Sequence, residues 1–148
     1  MKDYFRKFSL RIEKYAVEVF FLEFLIVFIL SPSIRMGALL AFGVLFTTGV
    51  SESLKLLFKE RRPHAAMERA FYRRGFSINK RSFPSTHASI SMFFVGFLSN
   101  GLLAAPFLVF ALAVIYSRLY IKSHYPRDVA AGALIGFLIG YALLYLFV

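Results

Sequence analysis

No cysteine occurs anywhere in the 148 residues. Disulfide staples, thiolate zinc sites and cysteine nucleophiles are excluded together. Acidic residues are scarce, with 8 Asp and Glu against 18 Lys and Arg, a formal net charge of +10. Such a surplus can mark a nucleic-acid binder. Here the basic residues are interleaved with apolar runs, a pattern that suits lipid headgroups or anionic lipids, and no nucleic-acid partner is expected. The first apolar run lacks the small-residue site of a cleaved signal peptide and contains Glu18 and Glu23, so it reads as retained structure. Internal repeats and low-complexity tracts are missing too, which argues against a solenoid or a disordered arm.

Apolar residues are what the chain has in excess, 59% of it against about 45–50% in globular domains. They fall in runs over 17–30, 34–50, 88–98, 106–116 and 129–148. The expected fold is all-α, a single integral-membrane domain over 1–148 with about five transmembrane helices near 16–30, 34–58, 86–99, 105–121 and 126–148. Fifteen residues of helix cover only about 22 Å of a hydrocarbon core about 30 Å thick, so the shorter spans need flanking turns or a thinned bilayer. Ahead of them, 1–15 places Phe5, Phe8, Ile12 and Tyr15 on one stripe with Lys7, Arg11 and Lys14 off it, an amphipathic interfacial helix. Ser31-Pro32-Ser33 and Asn100-Gly101 read as tight connections, and Pro106 fits a first helical turn. The long polar stretch, 59–84, carries Arg and Lys among Phe71, Tyr72, Phe76, Ile78 and Phe83; it is either a lid that gives substrate access or a solvated connector. In the last span Gly132, Gly136 and Gly140 recur every four residues, a smooth stripe that begins at Asp128 and lets another helix approach closely.

Three clusters stand at the ends of these spans. Lys55 precedes Arg62-Pro63, Pro84-Ser85-Thr86-His87 opens the third span, and Ser117-Arg118 leads through His124 to Asp128. If successive helices alternate in direction, all three clusters share one membrane face. Lys55, Arg62 and Arg118 would then surround a common point, a site for a tetrahedral oxyanion such as phosphate. Ser85 is placed as an N-cap, so the N–H groups after it, and its hydroxyl, add donors to that anion. His124 has Asp128 one helical turn on, where a carboxylate can hold one ring N–H and raise the basicity of the attacking nitrogen. His87 has no such neighbour in sequence and suits the general acid that protonates a leaving group and then activates water.

The stretches Lys-Leu-Leu-Phe-Lys-Glu-Arg-Arg-Pro (55–63), Pro-Ser-Thr-His (84–87) and Ser-Arg-Leu-Tyr-Ile-Lys-Ser-His-Tyr-Pro-Arg-Asp (117–128) resemble the three signatures of the type 2 phosphatidic acid phosphatase family. The resemblance implies that Lys55, Arg62, Ser85 and Arg118 bind phosphate. It further implies that His87 is the general acid and that His124, assisted by Asp128, becomes phosphorylated, with no cofactor and no metal. The expected substrate partner is a lipid phosphate held in the bilayer: lipid A 1-phosphate, undecaprenyl diphosphate, phosphatidylglycerol phosphate or phosphatidic acid. Two departures stand out: Thr86 replaces the usual Gly, and about five spans are expected where six are common in the family, with the amphipathic segment read in place of the first.

The rival reading is a lipid or anion carrier that uses the same basic cluster without chemistry, which leaves His87 and the His124–Asp128 spacing unexplained. The related vanadium haloperoxidases are soluble, unlike this apolar chain. Glu23 and Glu52 lie within spans but outside the signatures and are expected to have hydrogen-bonded structural roles. His64, Lys59 and Arg61 read as solvated neighbours of the first signature. Because Lys and Arg crowd the catalytic face, with Arg35 alone at the other, the positive-inside tendency would turn that face to the cytoplasm. The family resemblance implies instead the periplasmic face of a bacterial inner membrane.

Overall fold

The computed structural model describes residues 2–30, 33–63 and 81–147. They form α1 (Lys2–Lys14), α2 (Ala16–Leu30), α3 (Ile34–Phe58), α4 (Thr86–Phe97), α5 (Ala104–Tyr120) and α6 (Pro126–Phe147), with no strand among the described residues. The helices fall where apolar runs predict them, and the differences are confined to the terminal turns, where α4 stops at Phe97 rather than 99.

Two helices, α3 with 25 residues and α6 with 22, are long and apolar enough to cross a membrane. At 1.5 Å per residue they extend about 38 and 33 Å. The others have 15 residues (α2), 12 (α4) and 17 (α5). The short α4 is explained by its position. It lies inside the bundle, with Ala88, Ser89, Ser91 and everything from Phe93 to Phe97 buried. Its aromatic residues build the core: Phe94 lies 5.9 Å from the Phe107 ring, and Phe93 stacks at 5.8 Å on Phe97. Leu40, Val27, Ala111 and Leu143 close round them.

The glycine stripe of α6 packs directly on α4. A Cβ on Gly132, Gly136 or Gly140 would stand 2.4, 1.9 or 2.1 Å from the carbonyl oxygens of Ser85, Ser89 and Phe93. These carbonyls are themselves four residues apart, so two helices with the same repeat mesh backbone to backbone. Gly96 of α4 returns the fit, facing the Phe137 carbonyl at 2.2 Å from a would-be Cβ. A side chain anywhere on this seam would have to push main chain, which does not yield as a flexible side chain does.

The outer surfaces are apolar. Leu45, Leu57, Leu138 and Tyr145 are all exposed, and a surface of this kind is unusual for a protein that meets only water. On α1, Phe5 of the predicted stripe lies 6.1 and 6.4 Å from the rings of Tyr116 and Tyr120 on α5, so the amphipathic helix is docked on the bundle. Glu23 corrects an expectation. Its residue is buried, yet neither carboxylate oxygen has a hydrogen-bond partner among the described residues. On the same helix face Val27 is buried in the apolar core and Phe24 packs against it.

Candidate active site

The C-terminal end of α3 and the N-terminal ends of α4 and α6 meet at one end of the bundle, and short hydrogen bonds tie them there. The Lys55 ammonium donates to the Thr86 hydroxyl at 2.5 Å. The Ser85 N–H donates to the Asp128 carbonyl at 2.9 Å. Arg62 Nε donates to the Arg81 carbonyl at 3.3 Å. His87 lies within electrostatic range of Arg118, His124, Arg62 and Lys55. Lys55, Arg62, Ser85, His87, Arg118, His124 and Asp128 therefore lie in one neighbourhood.

Local structure explains each placement. Lys55 occupies the last turn of α3, which stops at Lys59 in the left-handed region (φ 52°), with its N–H bonded to the Lys55 carbonyl at 3.1 Å. Arg118 lies in the last turn of α5, and its carbonyl accepts from both the N–H and the hydroxyl of Ser123 at 3.0 and 3.1 Å, which folds the connection toward α6 and delivers His124. Pro126 then begins α6, where its missing N–H costs nothing. The Tyr125 N–H donates to Asp128 Oδ2 at 2.9 Å, so this carboxylate caps the helix that carries it.

Ser85 is the N-cap of α4 by position, but its hydroxyl makes no capping bond. The oxygen is buried without a hydrogen-bond partner among the described residues. A buried hydroxyl in that condition beside a helix N-terminus is suited to an anionic oxygen. Thr86, which stands where the family pattern has Gly, starts α4 and is absent from the residues with positive φ. A helical first-turn conformation carries a β-branched side chain without strain, so no glycine is required.

His124 Nδ1 lies 2.9 Å from the Ser82 carbonyl oxygen. A carbonyl only accepts, so Nδ1 carries the hydrogen and, in the neutral ring, Nε2 carries the lone pair. Asp128 Oδ2 is farther from the same nitrogen, at 3.7 Å. The sequence expectation that Asp128 holds the ring N–H is thus modified: Ser82 makes the hydrogen bond and Asp128 supplies a nearby negative charge. Burial pushes the His124 imidazole below its ordinary 6.5, and Arg62 and Lys55 push the same way while Asp128 opposes them. A neutral imidazole with its unshared pair on Nε2 is a nucleophile.

Several contributors were not read from the sequence. The Ser82 carbonyl is a backbone group whose direction depends on the fold; Ser82 is held by its N–H on the Glu60 carbonyl at 2.8 Å and its hydroxyl on the Arg61 carbonyl at 3.2 Å. Phe20 of α2 lies 5.9 Å from the His87 ring and walls it on the apolar side. Glu52 is hydrogen-bonded as anticipated, but to Lys55 and Thr86 within the site. Its signal was available, since a carboxylate three residues before a lysine on a helix shares its face. Lys59 and Arg61 are exposed, in keeping with a solvated reading. His64 and the middle of the expected lid at 59–84 fall outside the described residues. The described flanks of that segment are joined by an antiparallel bridge between Arg61 and Arg81, and Glu60 pairs with Arg127 of α6.

Residues 36–148 match the family model described as the PAP2 superfamily. No curated protein and no solved structure matches the chain.

Proposed function

Because this chain belongs to the PAP2 superfamily, whose members hydrolyse phosphate esters, we propose that it is an integral-membrane lipid phosphatase acting through a phosphohistidine on His124. The observation that carries the reading is the 2.9 Å contact of His124 Nδ1 with the Ser82 carbonyl, which reserves Nε2 for attack. Lys55, Arg62, Arg118, the Ser85 hydroxyl and the first N–H groups of α4 hold the phosphate oxygens.

In the first step the Nε2 lone pair forms a bond to phosphorus as the phosphorus–oxygen ester bond breaks. His87 gives its proton to the departing lipid oxygen, and the imidazolium of His124 is stabilised by the carboxylate of Asp128. In the second step His87 takes a proton from water, the oxygen of that water bonds to phosphorus, and the phosphorus–nitrogen bond breaks with its electrons returning to Nε2. Inorganic phosphate leaves. No step calls on a metal ion.

In this reading α2 to α6 all span the bilayer, α1 lies at its interface, and α4 is shielded from lipid by its neighbours. The exposed apolar faces of α3 and α6 support that arrangement. The catalytic face lies on the periplasmic side of a bacterial inner membrane, where the acyl or prenyl chain stays among the helices and the phosphate reaches the basic cluster.

The test is phosphate release by purified protein in detergent, with EDTA, from a panel containing lipid A 1-phosphate, undecaprenyl diphosphate, phosphatidylglycerol phosphate and phosphatidic acid. Release from at least one lipid, abolished in His124→Ala, is expected. Release that requires a divalent metal or survives the substitution sinks the mechanism, and silence across the panel sinks the activity.

A further inference from the structure

Lys55, Glu52 and Thr86 form a closed triangle at the junction of α3 and α4. Lys55 Nζ lies 2.5 Å from Glu52 Oε1 and 2.5 Å from Thr86 Oγ1, and Thr86 Oγ1 lies 2.8 Å from Glu52 Oε1. Chemistry allows each side of the triangle only one polarity. An ammonium can only donate and an ionised carboxylate can only accept, so the threonine hydroxyl donates to Glu52 and accepts from Lys55. Its proton and one lone pair are both engaged, which leaves the hydroxyl no alternative orientation.

The triangle matters because of what lysine is. Arg62 and Arg118 present planar guanidinium groups, whereas the Lys55 charge sits at the end of a flexible four-carbon stem. Left to itself such a stem samples many rotamers, and ordering it on binding weakens the ligand's hold. Here the stem is buried, and the head is gripped from its own helix by Glu52, one turn back, and from the next helix by Thr86. Glu52 is itself more open, with 42% of its side chain exposed, so it sits at the rim while the ammonium lies within.

We propose that Glu52 and Thr86 are positioning residues that anchor the Lys55 ammonium, committing two of its three N–H donors to the protein and holding the third for a phosphate oxygen. The proposal rests on the reading of Lys55 as a phosphate ligand. Thr86, which departs from the family's usual glycine, is then an active part of the site: its hydroxyl is the only one of the three groups contributed by α4, and it ties the cation to the same helix N-terminus that receives the anion.

Two substitutions isolate the anchor. Thr86→Val keeps the β-branched shape and removes the hydroxyl, while Thr86→Ser restores it. Glu52→Asp keeps the negative charge beside the anion site but withdraws the carboxylate by one methylene. Binding of inorganic phosphate to the detergent-solubilised full chain is measured by calorimetry at constant salt, alongside KM and kcat for whichever lipid phosphate the panel identifies and the thermal midpoint of each variant. We expect Thr86→Val and Glu52→Asp each to weaken phosphate binding and raise KM about tenfold, with kcat changed far less, and Thr86→Ser to stay within about threefold of the parent.

A fall in thermal midpoint with phosphate affinity unmoved would make the triangle a structural tie and overturn the proposal, as would failure of Thr86→Ser to rescue. If the parent binds inorganic phosphate but hydrolyses no lipid in the panel, the phosphatase reading fails while the anchor is still decided by calorimetry. A parent that binds no phosphate overturns the anchor itself.

Discussion

His124 is held by two groups of unequal reach, and that difference has measurable consequences. Where a carboxylate bonds an imidazole N–H directly, replacing it with an amide costs about 10⁴-fold in rate. Asp128 stands at 3.7 Å while the Ser82 carbonyl takes the hydrogen bond at 2.9 Å. Asp128→Asn is therefore expected to slow phosphate release on the order of 10²-fold, well short of that figure, whereas His124→Ala loses about 10⁴-fold or more. The pH dependence gives an independent reading. Burial lowers the His124 pKa, so the ring stays neutral and nucleophilic below its ordinary 6.5, and the acid limb of kcat/KM should fall below that value. Asp128 opposes the depression and Arg62 deepens it. Asp128→Asn should thus move the acid limb to still lower pH, and Arg62→Gln should move it up; shifts of the opposite sign would show that the limb belongs to another group. The stability sign follows from the same depression. Below about pH 6.5 the unfolded chain binds a proton that the folded chain refuses, so His124 contributes a loss of stability as pH falls.

At the scale of elements, the α4–α6 seam connects packing to chemistry. The carbonyls that meet the glycines of α6 begin with that of Ser85, and the N–H of the same residue bonds the Asp128 carbonyl. Spreading the seam consequently moves the N-terminal end of α4, the proposed phosphate site, away from the helix that carries Asp128. Gly136→Ala puts a Cβ 1.9 Å from the Ser89 carbonyl. It is expected to destabilise the protein by about 1–3 kcal/mol or more and to reduce activity further than the loss of folded protein explains. Gly49 on α3 is the control, because a Cβ there meets nothing within 4 Å. Gly49→Ala should leave activity intact and stabilise the helix by up to about 1 kcal/mol, so the thermal midpoint stays or rises. If both variants lowered the midpoint equally, close backbone approach would not be what the stripe provides.

At the scale of the whole molecule, the two ends of the bundle differ in charge and role. At the end away from the site, Arg35 donates to the Phe147 carbonyl at 2.6 Å, closing the start of α3 onto the end of α6. The other end carries Lys55, Arg62 and Arg118, and there the positive-inside tendency competes with the proposed role of these cations in holding an anionic substrate. The absence of cysteine makes the orientation directly measurable. Single cysteines at Tyr125, exposed beside the site, and at Leu102, exposed in the turn between α4 and α5, can each be labelled with a membrane-impermeant maleimide in spheroplasts. The periplasmic site predicts labelling of Tyr125→Cys before permeabilisation and of Leu102→Cys only after it. The reverse pattern would put the catalytic end in the cytoplasm. Alkaline carbonate should leave the protein in the membrane fraction, since its exposed apolar faces have no aqueous alternative.

Apolar periodicity and chain punctuation were enough to locate the helices, because each is a local property: a run of apolar residues, a proline at a first turn, a glycine in a connection. The three signatures were enough to nominate His124, His87, Asp128 and the cations, because side-chain chemistry travels with residue type. Glu52 lay one helical turn from Lys55 and was legible in principle, yet its partner Thr86 is 34 residues away, and nothing in the intervening chain states that the two hydroxyl and carboxylate oxygens meet. The same holds for the acceptor of His124. A backbone carbonyl has no residue type to betray it, and only the path of the chain through Ser82, set by contacts to Glu60 and Arg61, aims it at Nδ1. That Glu23 has no hydrogen-bond partner among the described residues followed from packing as well, since whether a buried carboxylate finds a donor depends on the neighbouring helix face. The sequence by itself determined which groups can do chemistry and which segments are helical; the tertiary structure decided which atoms hold them, because hydrogen bonds between distant parts of a chain depend on distance and direction that composition does not carry.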